Sequence, residues 1–129
     1  MTTKVLDPED ISEVLRRYQQ RITEHGPTFA SLNSGSEEKQ AIRHRVHASA
    51  LRGAKPSILE IGCGLADFYR YLLQHQQDCS YHGYDIVPQY ITECRRAYPQ
   101  AEFAERNIFA DGIDGTYDTI VMSQVLNNR

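Results

Sequence analysis

Residues 58 to 67 read Ile-Leu-Glu-Ile-Gly-Cys-Gly-Leu-Ala-Asp. Two acids, Glu60 and Asp67, flank the turn Gly62-Cys63-Gly64, and a third, Asp85, follows 21 residues after Gly64 in Tyr84-Asp85-Ile86. Glycines at 62 and 64 let the backbone turn tightly and approach a ligand without side-chain interference. Asp85 stands where an acid after such a turn can hydrogen-bond both hydroxyls of a ribose. Asp67 takes the place at which a dinucleotide fingerprint carries a third Gly or Ala. A pyrophosphate at that helix start would meet a carboxylate of like charge. The set favours a ribose and disfavours phosphate, a description that fits a positively charged nucleoside.

Other reactive side chains carry weaker signals. Cys63 reads as a small packing residue within the turn rather than a nucleophile. The five histidines do not cluster with acids or cysteines, and His44 and His47, three apart, have no third partner for a metal. No metal site is expected. Tyr69, Tyr81 and Tyr90 read as packing residues, and Gln40 and Arg43 as either a solvated face or a reach toward a bound carboxylate.

The elements that must position these groups are legible from spacing. Asp7-Pro8-Glu9-Asp10 opens a helix with a cap, a first-position proline and first-turn acids. Ile11, Val14, Leu15, Tyr18 and Ile22 then recur at helical spacing, and Gly26-Pro27 ends the run. A second helix is predicted from a Ser36 cap to about Arg52, packing through a narrow stripe of Ala41, Ile42, Val46 and Ala50. Strands and helices then alternate: a strand at 57–61, a helix from Asp67 to about Gln76 with Phe68, Leu72 and Leu73 inward, and a strand at 80–84. A helix at 88–97 follows with Ile91 and Cys94 inward, then strands at 101–105 and 117–123. Asp111-Gly112 and Asp114-Gly115 mark turns. Alternation of this kind predicts an α/β fold with a parallel sheet, its strand open and uncovered where the sequence ends.

Composition limits the function classes. A chain of 129 residues can bury one real core. Net charge is −3, with only Arg16-Arg17 and Arg43-His44-Arg45 as basic clusters, so no footprint for nucleic acid is present. Three cysteines, Cys63, Cys79 and Cys94, without a Cys-x-x-Cys spacing, fit a reducing compartment. No signal-like or membrane-spanning apolar run occurs, so the protein is read as cytoplasmic, without a membrane partner.

On these residues the chain resembles class I S-adenosylmethionine-dependent methyltransferases. Ile58-Leu-Glu-Ile-Gly-Cys-Gly64 is similar to their first motif and Gly83-Tyr-Asp-Ile86 to their second-strand acid. Ala104-Glu-Arg-Asn-Ile108 falls where they place an adenine-contacting loop, and Tyr117 to Leu126 resembles their fourth strand and the loop after it. Residues 32–43 resemble an entry segment that closes the cofactor pocket in small members.

The resemblance implies a Rossmann-like open parallel sheet with two N-terminal helices: residues 1–56 as a helical segment and 57–129 as a partial S-adenosylmethionine-binding domain. Strands 3-2-1-4 of the family order 3-2-1-4-5-7-6 are expected, the sequence stopping before strands 5 to 7. It also implies roles. Gly62, Cys63 and Gly64 would run beneath the methionine and ribose of the cofactor. Glu60, Asp67 or both would receive its α-ammonium, and Asp85 its ribose hydroxyls. Ile86 would lie against adenine, Asn107 and Ile108 at the ring edge, and Ser123 and Gln124 near the sulfonium. Asn107 departs from the acid common in the family, and an amide there still hydrogen-bonds adenine.

The expected function is S-adenosylmethionine-dependent methyl transfer to a small molecule, with no catalytic base assigned. Two rivals stand beside it: a dinucleotide-dependent oxidoreductase, and a non-catalytic domain of the same fold used for protein association. Self-association through the exposed strand edge is a further expectation.

Overall fold

Pro8 opens the first helix, its missing N–H costing nothing at a position with no intrahelical acceptor. The computed structural model describes residues 8–25 and 37–122. It orders them as α1 (Pro8–His25), α2 (Glu37–Ser49), β1 (Ser57–Ile61), α3 (Asp67–Gln74) and β2 (Ser80–Asp85). These are followed by α4 (Pro88–Ala97), β3 (Glu102–Glu105), α5 (Ile108–Asp111) and β4 (Thr119–Met122). The expectations for Asp7, Ser36, Ser123 and Gln124 lie outside the described residues.

The four strands form one parallel sheet in the order β3-β2-β1-β4, as the alternation predicted. Register pairs Glu60 with Gly83 and Ile61 with Tyr84, so β1 and β2 end level with each other. Because β2 and β4 flank β1 on opposite sides, the end of β1 opens where the strand order reverses, the position at which such sheets hold ligands.

One face of the sheet carries the main core. Ile58, Tyr81, Phe103 and Val121 project onto Phe68, Tyr69 and Leu72 of α3 and Ile91 and Cys94 of α4, with Ala48 and Leu51 closing the flank. Tyr69 stacks on Tyr81 at 4.5 Å between ring centroids, in the range where aromatic pairs add to simple burial. Gly83 lacks a side chain because none fits: a Cβ there would lie 2.9 Å from both Cys63 Sγ and Phe103 Cδ1. On the opposite face Leu59, Ile61 and Tyr84 gather Ala104, Ile108 and Tyr117, while Ile120 and Met122 of β4 stay half exposed.

Local expectations need three corrections. Leu73 is exposed, and the inward face of α3 runs instead through Phe68, Tyr69 and Leu72. The predicted apolar stripe of α2 is turned outward, Ile42 and Val46 being 52% and 59% exposed. Its inner side presents Gln40 and the rings of His44 and His47, which meet Phe68 at 5.7 and 5.6 Å. α3 starts at Asp67 as expected, preceded by Ala66 in a left-handed conformation (φ 63°) without a side-chain cap. A single helical turn, α5, precedes the Asp111-Gly112 turn, with the Asn107 side chain accepting the Phe109 N–H at 3.0 Å.

Candidate functional site

The turn after β1 is built by backbone. Gly62 (φ 78°) and Gly64 (φ 57°) occupy the left-handed region that glycine enters freely. The N–H groups of Gly62 and Cys63 both donate to the Tyr84 carbonyl, at 2.8 and 3.0 Å, which draws the chain across the end of β2. Ala66 then donates to the Cys63 carbonyl at 2.9 Å and starts α3.

Asp85 completes this frame from the second strand. Its Oδ2 accepts the Gly64 N–H at 2.8 Å and its Oδ1 the Val87 N–H at 2.9 Å. Its own carbonyl accepts the Arg106 N–H at 2.9 Å, which ties the end of β2 to the segment after β3. Burial pushes the Asp85 carboxyl up to about 6, against the opposing pull of the backbone N–H groups. The group is therefore ionised at neutral pH and titrates just below it.

Glu60 is 2% exposed and lies beneath the turn on the helix-covered face, where the Tyr81 hydroxyl donates to its Oε1. Burial, with the Glu60 charge next, raises Tyr81 well above the usual phenol value, so that hydroxyl keeps its proton. Cys63 turns its side chain inward beside Cys94, and both thiols lie on the Gly64 carbonyl, at 3.7 and 3.2 Å. The hydrogen bond with Cys94, together with burial, raises the Cys63 thiol, which leaves it a neutral packing group with only its backbone at the turn.

At the start of α3, Asp67 is held by Arg70 at 3.1 Å on Oδ1 and by the Gln40 amide at 3.1 Å on Oδ2. Ile86 lies in a small apolar cluster with Val87, Tyr90, Leu65 and Leu15 of α1. Asn107 spends its side-chain oxygen on the α5 cap, accepting the Phe109 N–H. Ile108 packs into the cluster on the far face of the sheet.

Glu60, the glycine turn, Asp67, Asp85 and Ile86 thus share one end of the sheet, and Asn107 is linked to them through Arg106. Sequence reasoning missed Leu15 and Leu65 beside Ile86 and the Tyr81 partner of Glu60. The last was signalled by the two-residue alternation of β2, which puts Tyr81 on the face of Glu60. A cavity of about 370 Å³ elsewhere, lined by His82, Tyr84, Glu102, Arg106 and Tyr117, contains none of the sequence-predicted site residues. Among the described residues no helix is long and apolar enough to cross a membrane.

A parallel sheet of order 3-2-1-4, with a glycine turn after its first strand and a buried acid ending its second, defines a Rossmann-like nucleoside-binding architecture. Residues 59–129, more than half of the chain, match the methyltransferase domain family, and the chain belongs to it. This agrees with the resemblance to class I S-adenosylmethionine-dependent methyltransferases.

Solved structures share the fold. The DhpI-SAM-HEP complex is 18% identical with a TM-score of 0.64, covering 92% of this chain and 52% of its own. A coclaurine N-methyltransferase bound to N-methylheliamine and SAH is 14% identical with a TM-score of 0.61, covering 93% and 43%. A TehB-like SAM-dependent methyltransferase from Corynebacterium glutamicum is 26% identical with a TM-score of 0.52, covering 90% and 55%. The chain spans about half the length of these structures. No curated protein sequence gives a significant match.

Proposed function

We propose that this chain is the cofactor-binding part of an S-adenosylmethionine-dependent methyltransferase acting on a small molecule by in-line methyl transfer. The observation that carries the reading is the Asp85 carboxylate fixed on the Gly64 N–H at 2.8 Å. A carboxylate offers about four acceptor positions; the Gly64 and Val87 N–H groups take one on each Asp85 oxygen, and the Ile86 N–H also bears on the carboxyl. The capacity left over is available to ribose hydroxyls.

S-adenosylmethionine, when bound, supplies a methyl group already activated by the sulfonium charge. The work left to the protein is to bind and orient. Gly62 and Gly64 let the backbone lie against the ligand, and Leu65 and Ile86 offer an apolar wall to adenine. The carboxamide nitrogen of Asn107 donates toward a ring nitrogen. Glu60 supplies negative charge beneath the turn that draws the α-ammonium. Ser123 and Gln124, outside the described residues, are assigned by the family resemblance alone to the space near the sulfonium. Alignment of donor and acceptor can supply much of the rate, so a general base is required only for an acceptor that must lose a proton.

Asp67 as the first residue of α3 supports this reading over a dinucleotide, because a pyrophosphate would meet its charge there. A small-molecule acceptor accords with the net charge of −3 and with the N-methylheliamine in the coclaurine enzyme. Titration calorimetry with S-adenosylhomocysteine tests the proposal. Binding that NADH does not compete for is expected, and a folded protein that binds NADH but not S-adenosylhomocysteine overturns it.

A further inference from the structure

Among the described residues three polar side chains are buried: Gln40, Glu60 and Asp85. All three stand at the end of the molecule that holds the glycine turn. Glu60 is met by the Tyr81 hydroxyl and Asp85 by two backbone N–H groups. Gln40 is the outlier, since it comes from α2, a helix that turns its aliphatic residues Ile42 and Val46 to solvent. A carboxamide costs free energy to bury unless it is hydrogen-bonded. Its Nε2 donates to Asp67 Oδ2 at 3.1 Å, while Arg70 occupies Oδ1 at 3.1 Å. Each Asp67 oxygen therefore has a protein partner.

Asp67 is also mechanically joined to the turn. It follows Ala66, whose left-handed backbone is held by the Ala66 N–H on the Cys63 carbonyl at 2.9 Å. Fixing the Asp67 carboxylate fixes the last residue of the turn. The remaining ring contacts of α2 with α3, His44 and His47 on Phe68 and His44 on Tyr71, lie further along both helices. The amide–carboxylate bond thus sets where the first turn of α2 sits.

We propose that Gln40 and Asp67 form a latch: their hydrogen bond holds the start of α2 against the start of α3 and keeps the glycine turn in its binding conformation. Asp67 then serves the cofactor through Gln40 and not by contact with it. This rests on the cofactor assignment above. Gln40 is a positioning residue, and the two roles of Asp67 separate when donor and acceptor are exchanged.

The experiment is S-adenosylhomocysteine calorimetry on the full chain, with a melting curve for every variant. Gln40→Glu sets two carboxylates against each other and is expected to weaken binding about tenfold or more. Adding Asp67→Asn exchanges donor and acceptor and is expected to restore most of that affinity. Gln40→Met keeps the side chain's length without the donor, and it is expected to weaken binding in the same direction should Gln40→Glu unfold the chain. A double variant that folds but stays as weak as Gln40→Glu overturns the latch, since the Asp67 charge is then needed at the ligand. Variants at Gln40 that melt earlier yet bind at wild-type affinity also overturn it, leaving the bond purely structural. A folded wild-type protein that does not bind overturns the cofactor assignment and the latch together, whereas a wild type that binds beside an unaffected Gln40→Met overturns the latch alone.

Discussion

The Asp85 carboxylate accepts the Gly64 N–H at 2.8 Å, so the acid that ends β2 and the turn that follows β1 form one unit. The same side chain caps the Val87 N–H ahead of α4. A single residue thereby fixes the second glycine and the start of the next helix.

This arrangement makes cofactor affinity depend on pH. Burial holds the Asp85 carboxyl at about 6, above its ordinary value of 3.8. Ribose hydroxyls bond most strongly to the ionised form, which accepts on both oxygens. Affinity for S-adenosylhomocysteine is expected to be flat above neutrality and to fall as pH drops through about 6, approaching tenfold per pH unit below it. Folding stability responds to Asp85 in the opposite sense. Its folded pKa is raised, so the folded state binds the proton more tightly and the Asp85 contribution to stability declines as pH rises from about 4 to about 6. Calorimetry from pH 5 to 8 checks the first statement, and an affinity that does not change across that range contradicts it.

His44 should give the fold an acid limit of its own. Burial against Phe68 and Tyr71 pushes its imidazole down to about 4, despite the opposing charge of Asp67, and burial also lowers His47. A depressed histidine stabilises the fold above its unfolded value near 6.5, and that contribution is lost as pH falls toward the folded value. His44→Phe keeps an aromatic ring without a titrating group. Its melting temperature is expected to fall less than that of the wild type between pH 7 and pH 5. Parallel melting curves for the two proteins count against this.

Gly83 is a packing requirement. The Cβ of Gly83→Ala would stand 2.9 Å from Cys63 Sγ and from Phe103 Cδ1. Overpacking of this kind costs about 1–3 kcal/mol. Removing the sulfur with Cys63→Ala in the same chain is expected to return part of the loss. Chemical denaturation of the two single variants and the double variant measures the coupling, and strictly additive losses refute the contact.

Much of this architecture was readable before any coordinates, for physical reasons particular to each element. The run ending in Glu60-Ile61, the glycines at 62 and 64 and the acid at 85 are local signals, because turn chemistry and strand length set them within a few residues. They marked the strand–turn–helix unit and singled out Asp85, whereas the strand order came from the family resemblance and the Asp85–Gly64 bond only from the structure. The inner face of α2 was not readable, since aliphatic spacing pointed to Ile42 and Val46 while the helix turns His44 and His47 onto Phe68. Aromatic contacts between helices depend on partners distant in sequence and leave no periodic trace. The same holds for Gln40, whose burial depends on Asp67, 27 residues away. The start of α3 at Asp67 was readable, but the left-handed backbone of Ala66 ahead of it is not announced by residue type. The single turn of α5 was hidden because four residues are too few for a periodic pattern, although its cap, Asn107, had been singled out as a candidate site residue for another reason.

Binding of S-adenosylhomocysteine to the full chain and to Asp85→Asn, by titration calorimetry near pH 7.5 with melting curves for both proteins, is the most direct measurement. The wild type is expected to bind, and Asp85→Asn to bind about a hundredfold or more weakly, because hydrogen bonds to an ionised acceptor are lost. Equal binding by the two folded proteins, or none by the folded wild type, contradicts the assignment of Asp85 as the ribose acceptor.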